Sequence, residues 1–313
     1  MEPVKEPDTL VLGDVHSHLD RLEALLLQEG IIGDCPVCEG TGESRDDDPF
    51  CVLCDGTGLA RINHDVKVIQ LGDLGHFGGG YTADLLTYQF GIQWLDEILW
   101  GNHDRAVIQE RAHSFGGYAG ASPETRDLMD DARNKGKLKL ASAAHGFLLT
   151  HAGLHSEFKH NDAPAEVKQN PQEFAAWMNA MDARDDGVNA AYGPTFIATR
   201  DNISTSRGGR ARAGGILWRD ASESLYPGFR QIFGHSAGRK VRRYQSKFAG
   251  DSYCVDIGSE HNGHLAGIWL PSERVVEVEV GIKPVEVSDH VIDDGRGVQD
   301  SDTGSGSTGP TAS

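Results

Sequence analysis

The chain has 313 residues, of which 38% are hydrophobic and 7% aromatic, enough for one large or two small domains around a sizeable core. No apolar run approaches the ~20 residues that cross a bilayer, and the polar start Met1–Asp8 has no signal-peptide pattern, which points to the cytoplasm. A net charge of −18 argues against polyanion binding over the whole surface, though not against a local basic site.

Thr9 to Gly13 reads as a first strand, and Leu19, Leu22, Leu25 and Leu26 at helical spacing predict a helix to about Gln28. Strand, short loop and helix open an α/β unit. Asp34 to Arg61 breaks this pattern with four cysteines, four glycines and the run Asp46-Asp47-Asp48, and reads as a module inserted on a loop. Asp65 to Leu71 resumes the strand pattern. A helix is expected over Ala83 to Trp94, a further apolar stretch over Leu95 to Trp100, and a helix after it. Ala112 to Gly136, Gly-rich and then charged, reads as a surface excursion. Gly146 to Thr150 is another strand. Ser156 to Tyr192 is mainly helical in character, with Phe174, Trp177, Met178 and Met181 forming a packing stripe. Thr199 to Gly215 is an Arg/Gly-rich loop. Strands are expected at Gln231 to Phe233, Tyr253 to Ile257, Leu265 to Leu270 and Arg274 to Val280. The domain is expected to run over 9–285, between a short tail at 1–8 and an acidic, Gly/Ser/Thr-rich segment at 286–313 whose end from Gly295 should be disordered.

One device recurs along this order. Asp14 and His16 follow the first strand, Asp73 the second, Asn102 and His103 the third, His151 the fourth and His235 the fifth. Open α/β sheets put their chemistry at such strand ends, and the adjacent glycines allow sharp turns. A lone histidine after a strand is ordinarily a packed residue, and Asp14 alone would read as a helix cap. Five in succession, with carboxylates and imidazoles together, suit divalent ions such as Mn²⁺, Fe²⁺ or Zn²⁺. Asp73 has two oxygens and can bridge two ions, and a pair about 3.5–4 Å apart can clamp a phosphoryl group under in-line attack.

The set GDVHSH, LGDLG, GNHD, THAG and FGHS, in this order, resembles the calcineurin-like metallophosphoesterase superfamily. THAGL and the lone GHS resemble its phosphoprotein-phosphatase branch, including bacterial and phage relatives, and also the bis(5′-nucleosyl)-tetraphosphatases. The resemblance spans about Leu10 to Leu270 apart from the insert. It implies a four-layer α/β/β/α sandwich, two packed sheets flanked by helices. It implies that Asp14, His16 and Asp73 hold a first metal, and Asp73, Asn102, His151 and His235 a second. It gives His103 the role of general acid to the leaving oxygen, with metal-bound hydroxide attacking phosphorus. A second histidine two places after His235, which marks other branches, is here Ala237.

The second motif departs from the branch pattern GDxVDRG. The Asp that orients the general acid is replaced by His76, and the phosphate-binding Arg by Phe77. His76 resembles the histidine of repair-nuclease members; Asp104 is a further group that would polarise a neighbour. Between Arg200 and Lys247 there are eleven Lys/Arg against three acids, a local balance of +8. In phage-type phosphatases an arginine near a tryptophan here contacts the phosphate, which makes Arg219 and Arg207 candidates, with Arg210 behind them. A guanidinium grips phosphate through two parallel hydrogen bonds.

In the insert, Cys35-Pro-Val-Cys38 and Cys51-Val-Leu-Cys54 are each followed by an x-Gly-Thr-Gly run, and 12 residues separate the pairs. Two copies of CxxCxGxG resemble the zinc repeats of the DnaJ chaperone family, which implies one structural Zn²⁺ on four thiolates. Cys254 reads as a small buried apolar residue. The expected function is hydrolysis of a phosphoprotein or small phosphomonoester. The rival is a dinucleoside polyphosphate or nucleic-acid phosphodiester, which the basic loop and His76 favour. A reading of another class is a non-catalytic adaptor whose zinc module binds a partner. No membrane partner is expected.

Overall fold

The computed structural model describes residues 5–43, 50–51, 53–75, 80–108, 121–157, 164, 167–185, 202–246 and 249–280. The chain divides into units Met1–Gly281 and Ile282–Ser313, and the second, with the expected tail, lies outside the described residues.

In chain order the first unit carries β1 (Thr9–Leu12), α1 (Leu19–Gln28), β2 (Ile32–Asp34), β3 (Leu59–Arg61), β4 (Lys67–Gln70), α2 (Gly80–Trp94), β5 (Glu97–Leu99) and α3 (Asn102–Ile108). Then follow α4 (Pro123–Asn134), β6 (Leu138–Lys139), β7 (Ala141–Ala144), β8 (Phe147–Thr150) and α5 (Pro171–Asp185). The last elements are β9 (Arg230–Phe233), β10 (Arg242–Tyr244), β11 (Ser252–Cys254), a short helix α6 (Ser259–Asn262), β12 (His264–Leu270) and β13 (Arg274–Glu279).

The strands form two large sheets. The first has the order β13-β12-β1-β4-β5-β6, with β1, β4, β5 and β6 parallel and β12 and β13 antiparallel. The second has the order β10-β11-β9-β8-β7, with β8, β9 and β11 parallel. Side chains on a strand alternate between its two faces, and here both faces are covered. Val11, Ile69 and Leu99 of the first sheet meet Phe147, Leu149, Ile232 and Tyr253 of the second in one apolar seam. Leu10, Leu12 and Val68 turn the other way, into the cluster that holds Leu22, Leu25 and Leu26 of α1. α1 lies along β12 and β13, and α5 along β7 and β8. The layers are therefore α/β/β/α, and two-sided burial explains why β1 and β8 are almost wholly apolar. The stripe on α5 is packing: Phe174 and Met178 are fully buried.

Two stretches differ from expectation. The supposed surface excursion at 112–136 contains α4, which buries Thr125, Met129 and Ala132; Ser122 caps it by accepting the Thr125 N–H, and Pro123 occupies its first turn. Of the helical stretch expected over 156–192, the described residues form only α5 and a 3₁₀ turn at Val167–Gln169. No helix among the described residues is long and apolar enough to cross a membrane.

Candidate metal centre

The loops that leave the parallel strands at their carboxyl ends meet where the two sheets pack together. Gln70, fully buried, ties two of them: its Nε2 donates to Gly13 O (3.2 Å) and Gly72 O (2.6 Å), and its Oε1 accepts Gly72 N–H (2.9 Å). Val15 and His16 donate their backbone N–H groups to Asp73 O at 3.1 and 2.9 Å. Gly101 and Gly234 are required by contact: a Cβ on either would collide with a carboxylate oxygen, of Asp73 and Asp14 respectively. His16, Asp73 and His235 adopt left-handed backbone, with φ of 52, 54 and 67°. Asp and His tolerate this region better than most residues, yet it remains costly.

Two buried donor groups result. Asp14, His16 and Asp73 offer ligand atoms within 4.8 Å of one another, and so do Asp73, His151 and His235; Asp73 belongs to both. His16 Nε2 is 3.8 Å from Asp73 Oδ2 and 4.0 Å from Asp14 Oδ2. His151 Nε2 is 3.4 Å from Asp73 Oδ2, 2.9 Å from Asn102 Oδ1 and 3.1 Å from His235 Nδ1. The second imidazole nitrogen of His151 is fixed by Leu71 O at 3.0 Å, the kind of outer contact that sets a ligand's tautomer. His103 donates its backbone N–H to Asp73 Oδ1 (2.9 Å), and its ring stands edge-on to His16 at 5.2 Å.

The electrostatics leave a deficit of positive charge. Burial, then repulsion by Asp256 and Asp73, pushes the Asp14 carboxyl well above its usual range, and burial followed by Asp104 does the same to Asp73. Burial pushes His151 down to about 3 and His235 well below its ordinary value, so both imidazoles are neutral. Among the described residues, no lysine or arginine lies within ion-pair distance of Asp14 or Asp73. His235 Nε2 is buried and has no hydrogen-bond partner among the described residues. Neutral imidazoles, uncompensated carboxylates and an orphaned ring nitrogen are a donor set that fits divalent cations.

The remaining sequence candidates fall differently. His76 lies outside the described residues. Asp104 is fully buried; it accepts the N–H groups of Asp73 (2.7 Å), Gly101 (2.8 Å) and Leu74 (3.2 Å) and the Tyr88 hydroxyl. It positions the Asp73 loop, a correction to its expected role as a catalytic group that polarises a neighbour. Arg219 is also corrected. It is fully buried, donates to the carbonyls of Ala152, Asp220 and Glu223, and stacks over Phe233 at 4.5 Å. Burial pushes its pKa down to about 10. It buttresses the loop after His151. Arg207 is part-exposed; it donates to His235 O (2.9 Å) and Ser236 Oγ (2.6 Å) and pairs with Asp220 at 3.0 Å. Arg210 is exposed. A cavity of about 500 Å³ opens at Ser236 and Ala237, just after His235, and its walls include Arg207, Asp220, Arg242 and Tyr244.

Two acids escaped the sequence reading. Asp256 follows β11 as Asp73 follows β4, and burial raises its pKa to about 6. Glu260 on α6 is 3.8 Å from His16 Nε2. Asp256 repeats the strand-end pattern and was legible; Glu260 sits on a polar turn with no such signal.

The hairpin β2–β3 forms the base of the insert, and the four cysteine sulfurs converge within 4.8 Å of one another. Cys35 and Cys51 sulfurs are 3.7 Å apart, Cys38 and Cys54 sulfurs 3.6 Å. That is too far for a disulfide and close to the ~3.8 Å edge of a tetrahedron with ~2.3 Å metal–sulfur bonds. Burial raises the Cys38 thiol, but the Gly42 N–H (3.3 Å from its sulfur) and the neighbouring thiols bring it down to about 7. The four sulfurs can hold one soft or borderline ion.

No family model and no curated protein matches the chain. Among solved structures it is similar to a crystal structure provisionally described as a diadenosine tetraphosphatase, at 16% identity and a TM-score of 0.43, over 88% of this chain and 95% of that one. It is also similar to a protein serine/threonine phosphatase from Saccharomyces cerevisiae with similarity to human phosphatase PP5, at 12% identity and a TM-score of 0.47, over 90% of this chain and 82% of that one.

Proposed function

We propose that this chain is a metal-dependent phosphoesterase of the calcineurin-like type that hydrolyses phosphomonoesters, from a protein or a small molecule, at a pair of divalent ions. The observation that carries this reading is the membership of one carboxylate, Asp73, in both buried donor groups. Asp14, His16 and Asp73 would hold one ion, and Asp73, Asn102, His151 and His235 the other. Mn²⁺, Fe²⁺ or Zn²⁺ suits these donors. When bound, such a pair supplies Lewis acidity toward a phosphoryl oxygen and lowers the pKa of water toward neutrality.

The chain's own groups do the rest. His103, steered by its backbone bond to Asp73 and standing against His16, would give its proton to the leaving oxygen. Arg207, on the wall of the adjoining cavity, is the remaining candidate for gripping phosphate oxygens. Cys35, Cys38, Cys51 and Cys54 would hold a structural Zn²⁺ that organises a segment with little apolar content.

A second reading is favoured by the cavity at Ser236 and Ala237, which has room for the far half of a larger ester such as a dinucleoside polyphosphate. The test is steady-state hydrolysis of p-nitrophenyl phosphate, its bis-ester and a dinucleoside tetraphosphate with Mn²⁺, joined to metal analysis of the purified protein. Turnover of the monoester above the others is expected. Faster turnover of either larger ester would exchange the two readings, and no turnover of any by the metal-loaded protein would sink both.

A further inference from the structure

Arg242 is a cation that the metal centre does not use and that no acid balances. Its neighbours Arg239, Lys240 and Arg243 are exposed, and Arg243 pairs with Asp251. Arg242 is half-buried and lines the cavity at Ser236 and Ala237. Its guanidinium meets only neutral acceptors: Nη2 donates to Ser236 O, to Cys254 Sγ (3.0 Å) and to Asp256 O (3.4 Å). Burial pushes the Cys254 thiol up to about 11, which keeps it uncharged. Arg242 Nε is buried and has no hydrogen-bond partner among the described residues. A guanidinium carries five N–H donors, so a clasp made through one nitrogen leaves most of them unspent. A half-buried cation facing no counter-charge is costly, and an anion in the cavity removes that cost.

The rest of the wall is balanced within itself. Asp220, the one carboxylate of the lining, accepts the Ser222 N–H (2.9 Å) and hydroxyl (2.6 Å) at Oδ1 and pairs with Arg207 at 3.0 Å through Oδ2. Ser236 Oγ accepts from Arg207 (2.6 Å) and from the Ala221 N–H (2.9 Å), so its own hydrogen remains to donate. Two guanidiniums against one carboxylate leave the lining net positive. Guanidinium forks joined by a hydroxyl suit a phosphate, which accepts hydrogen bonds on several oxygens. The volume of about 500 Å³ falls in the range of small-molecule sites. The cavity is also tied to the metal centre. Arg207 bonds His235 O and Ser236 Oγ at once, and the Trp218 ring, two residues before Asp220, stands edge-on to His235 at 5.5 Å.

Resting on the phosphoesterase reading above, we propose that this cavity is a subsite for a second phosphate of the substrate, gripped by Arg242. The preferred substrates are then monoesters of small molecules that carry two phosphate groups, one presented to the centre and one held in the cavity.

The test uses the full chain loaded with Mn²⁺ and probes that cannot be hydrolysed: alkane-α,ω-bisphosphonates of graded chain length, each titrated by calorimetry against the alkylphosphonate of the same length. Turnover of the matching phosphate esters is measured alongside. At the best length the bisphosphonate should bind about 10–100-fold more tightly than its single-headed counterpart, and the bisphosphate ester should show the lower KM. Arg242→Gln should abolish this gain, raising KM for the bisphosphate ester far more than for the monophosphate. Arg242→Lys, a partner should the Gln variant fail to fold, keeps the charge without the fork and should retain only part of the gain. Equal binding of the two probes by wild type at every length would overturn the assignment. So would a gain untouched in the folded variants, which would make Arg242 only a clasp on Ser236 O. So would inorganic phosphate binding beside a bound alkylphosphonate with no gain from the tethered pair, which would make the cavity a site for free phosphate. Failure of wild type to bind any single-headed probe or turn over its ester is a separate outcome: it removes the phosphoesterase reading itself, and the subsite with it.

Discussion

Asp73 and His151 belong to loops of different sheets, yet Asp73 Oδ2 and His151 Nε2 are 3.4 Å apart with side chains 2% and 0% exposed. The sheets are locked in apolar contact behind them, so this juxtaposition is built by the fold and not by the loops alone. Asp73→Asn removes the charge shared by both donor groups while keeping the shape. Metal analysis should show loss of both centre ions, and turnover should fall by roughly 10³-fold or more. His151→Ala should cost only the second ion.

The place of His103 predicts a dependence on leaving group. An ester whose alkoxide leaves poorly needs a proton in the transition state; p-nitrophenolate hardly does. His103→Asn should lower turnover of an alkyl phosphate by about 10²–10⁴-fold and that of p-nitrophenyl phosphate by much less. Full activity of the variant on the alkyl ester would remove the general-acid role.

The cysteine module should separate stability from rate. Cys38→Ser removes one of the four converging sulfurs and should abolish zinc uptake by the module, read by metal analysis. The melting temperature should fall further than kcat does, because among the described residues the sulfurs form a buried cluster of their own with Ala60.

Two arginines close in sequence should behave in opposite ways. Arg219→Ala strands the carbonyls of Ala152, Asp220 and Glu223 and should cost about 3 kcal/mol of stability. Arg207→Ala, whose contacts to His235 O, Ser236 and Asp220 are part-exposed, should lower the melting temperature less than Arg219→Ala and raise KM by roughly 10-fold, as loss of a charged phosphate contact would.

Glu97 supplies a test in pH. Lys67 (2.7 Å), Lys139 (2.9 Å) and the Ser142 hydroxyl converge on it, joining β5 of the first sheet to β7 of the second. Burial alone would raise its pKa; these three partners outweigh burial and hold it below the usual range. The folded protein then binds this proton less readily than the unfolded chain. The contribution is full above the ordinary glutamate pKa and is lost as pH falls through the lower folded value. Glu97→Gln should cost about 1–2 kcal/mol near pH 7. The difference from wild type should shrink as pH falls below the ordinary glutamate range, read by denaturant unfolding.

Much of this arrangement was legible because β1, β4 and β8 are short apolar runs ended by glycine and a donor. The missing pieces were hidden for physical reasons. β7 reads Ala-Ser-Ala-Ala and β10 reads Arg-Arg-Tyr; both are edge strands of the second sheet, where the pressure for apolar side chains is weakest. α4 presents only Thr125, Met129 and Ala132 to the core, too small a stripe to register, although Ser122-Pro123 was a legible start signal. Arg219 and Arg207 look alike in sequence, and only burial tells the buttress from the rim. Asp104 was read as a group that would polarise an unnamed neighbour, and its actual partners, the backbone N–H groups of Asp73, Leu74 and Gly101, could not be read from spacing.

The left-handed backbone at His16, Asp73 and His235 carries a consequence for how the protein responds to losing its ions. Three adjacent loop tips are each held in a conformation worth of order 1–3 kcal/mol less than a relaxed one, and like charges crowd between them. Chelation should therefore loosen these tips ahead of the sheets, so that amide exchange at Asp73 and His235 quickens while exchange in β1 and β8 stays slow.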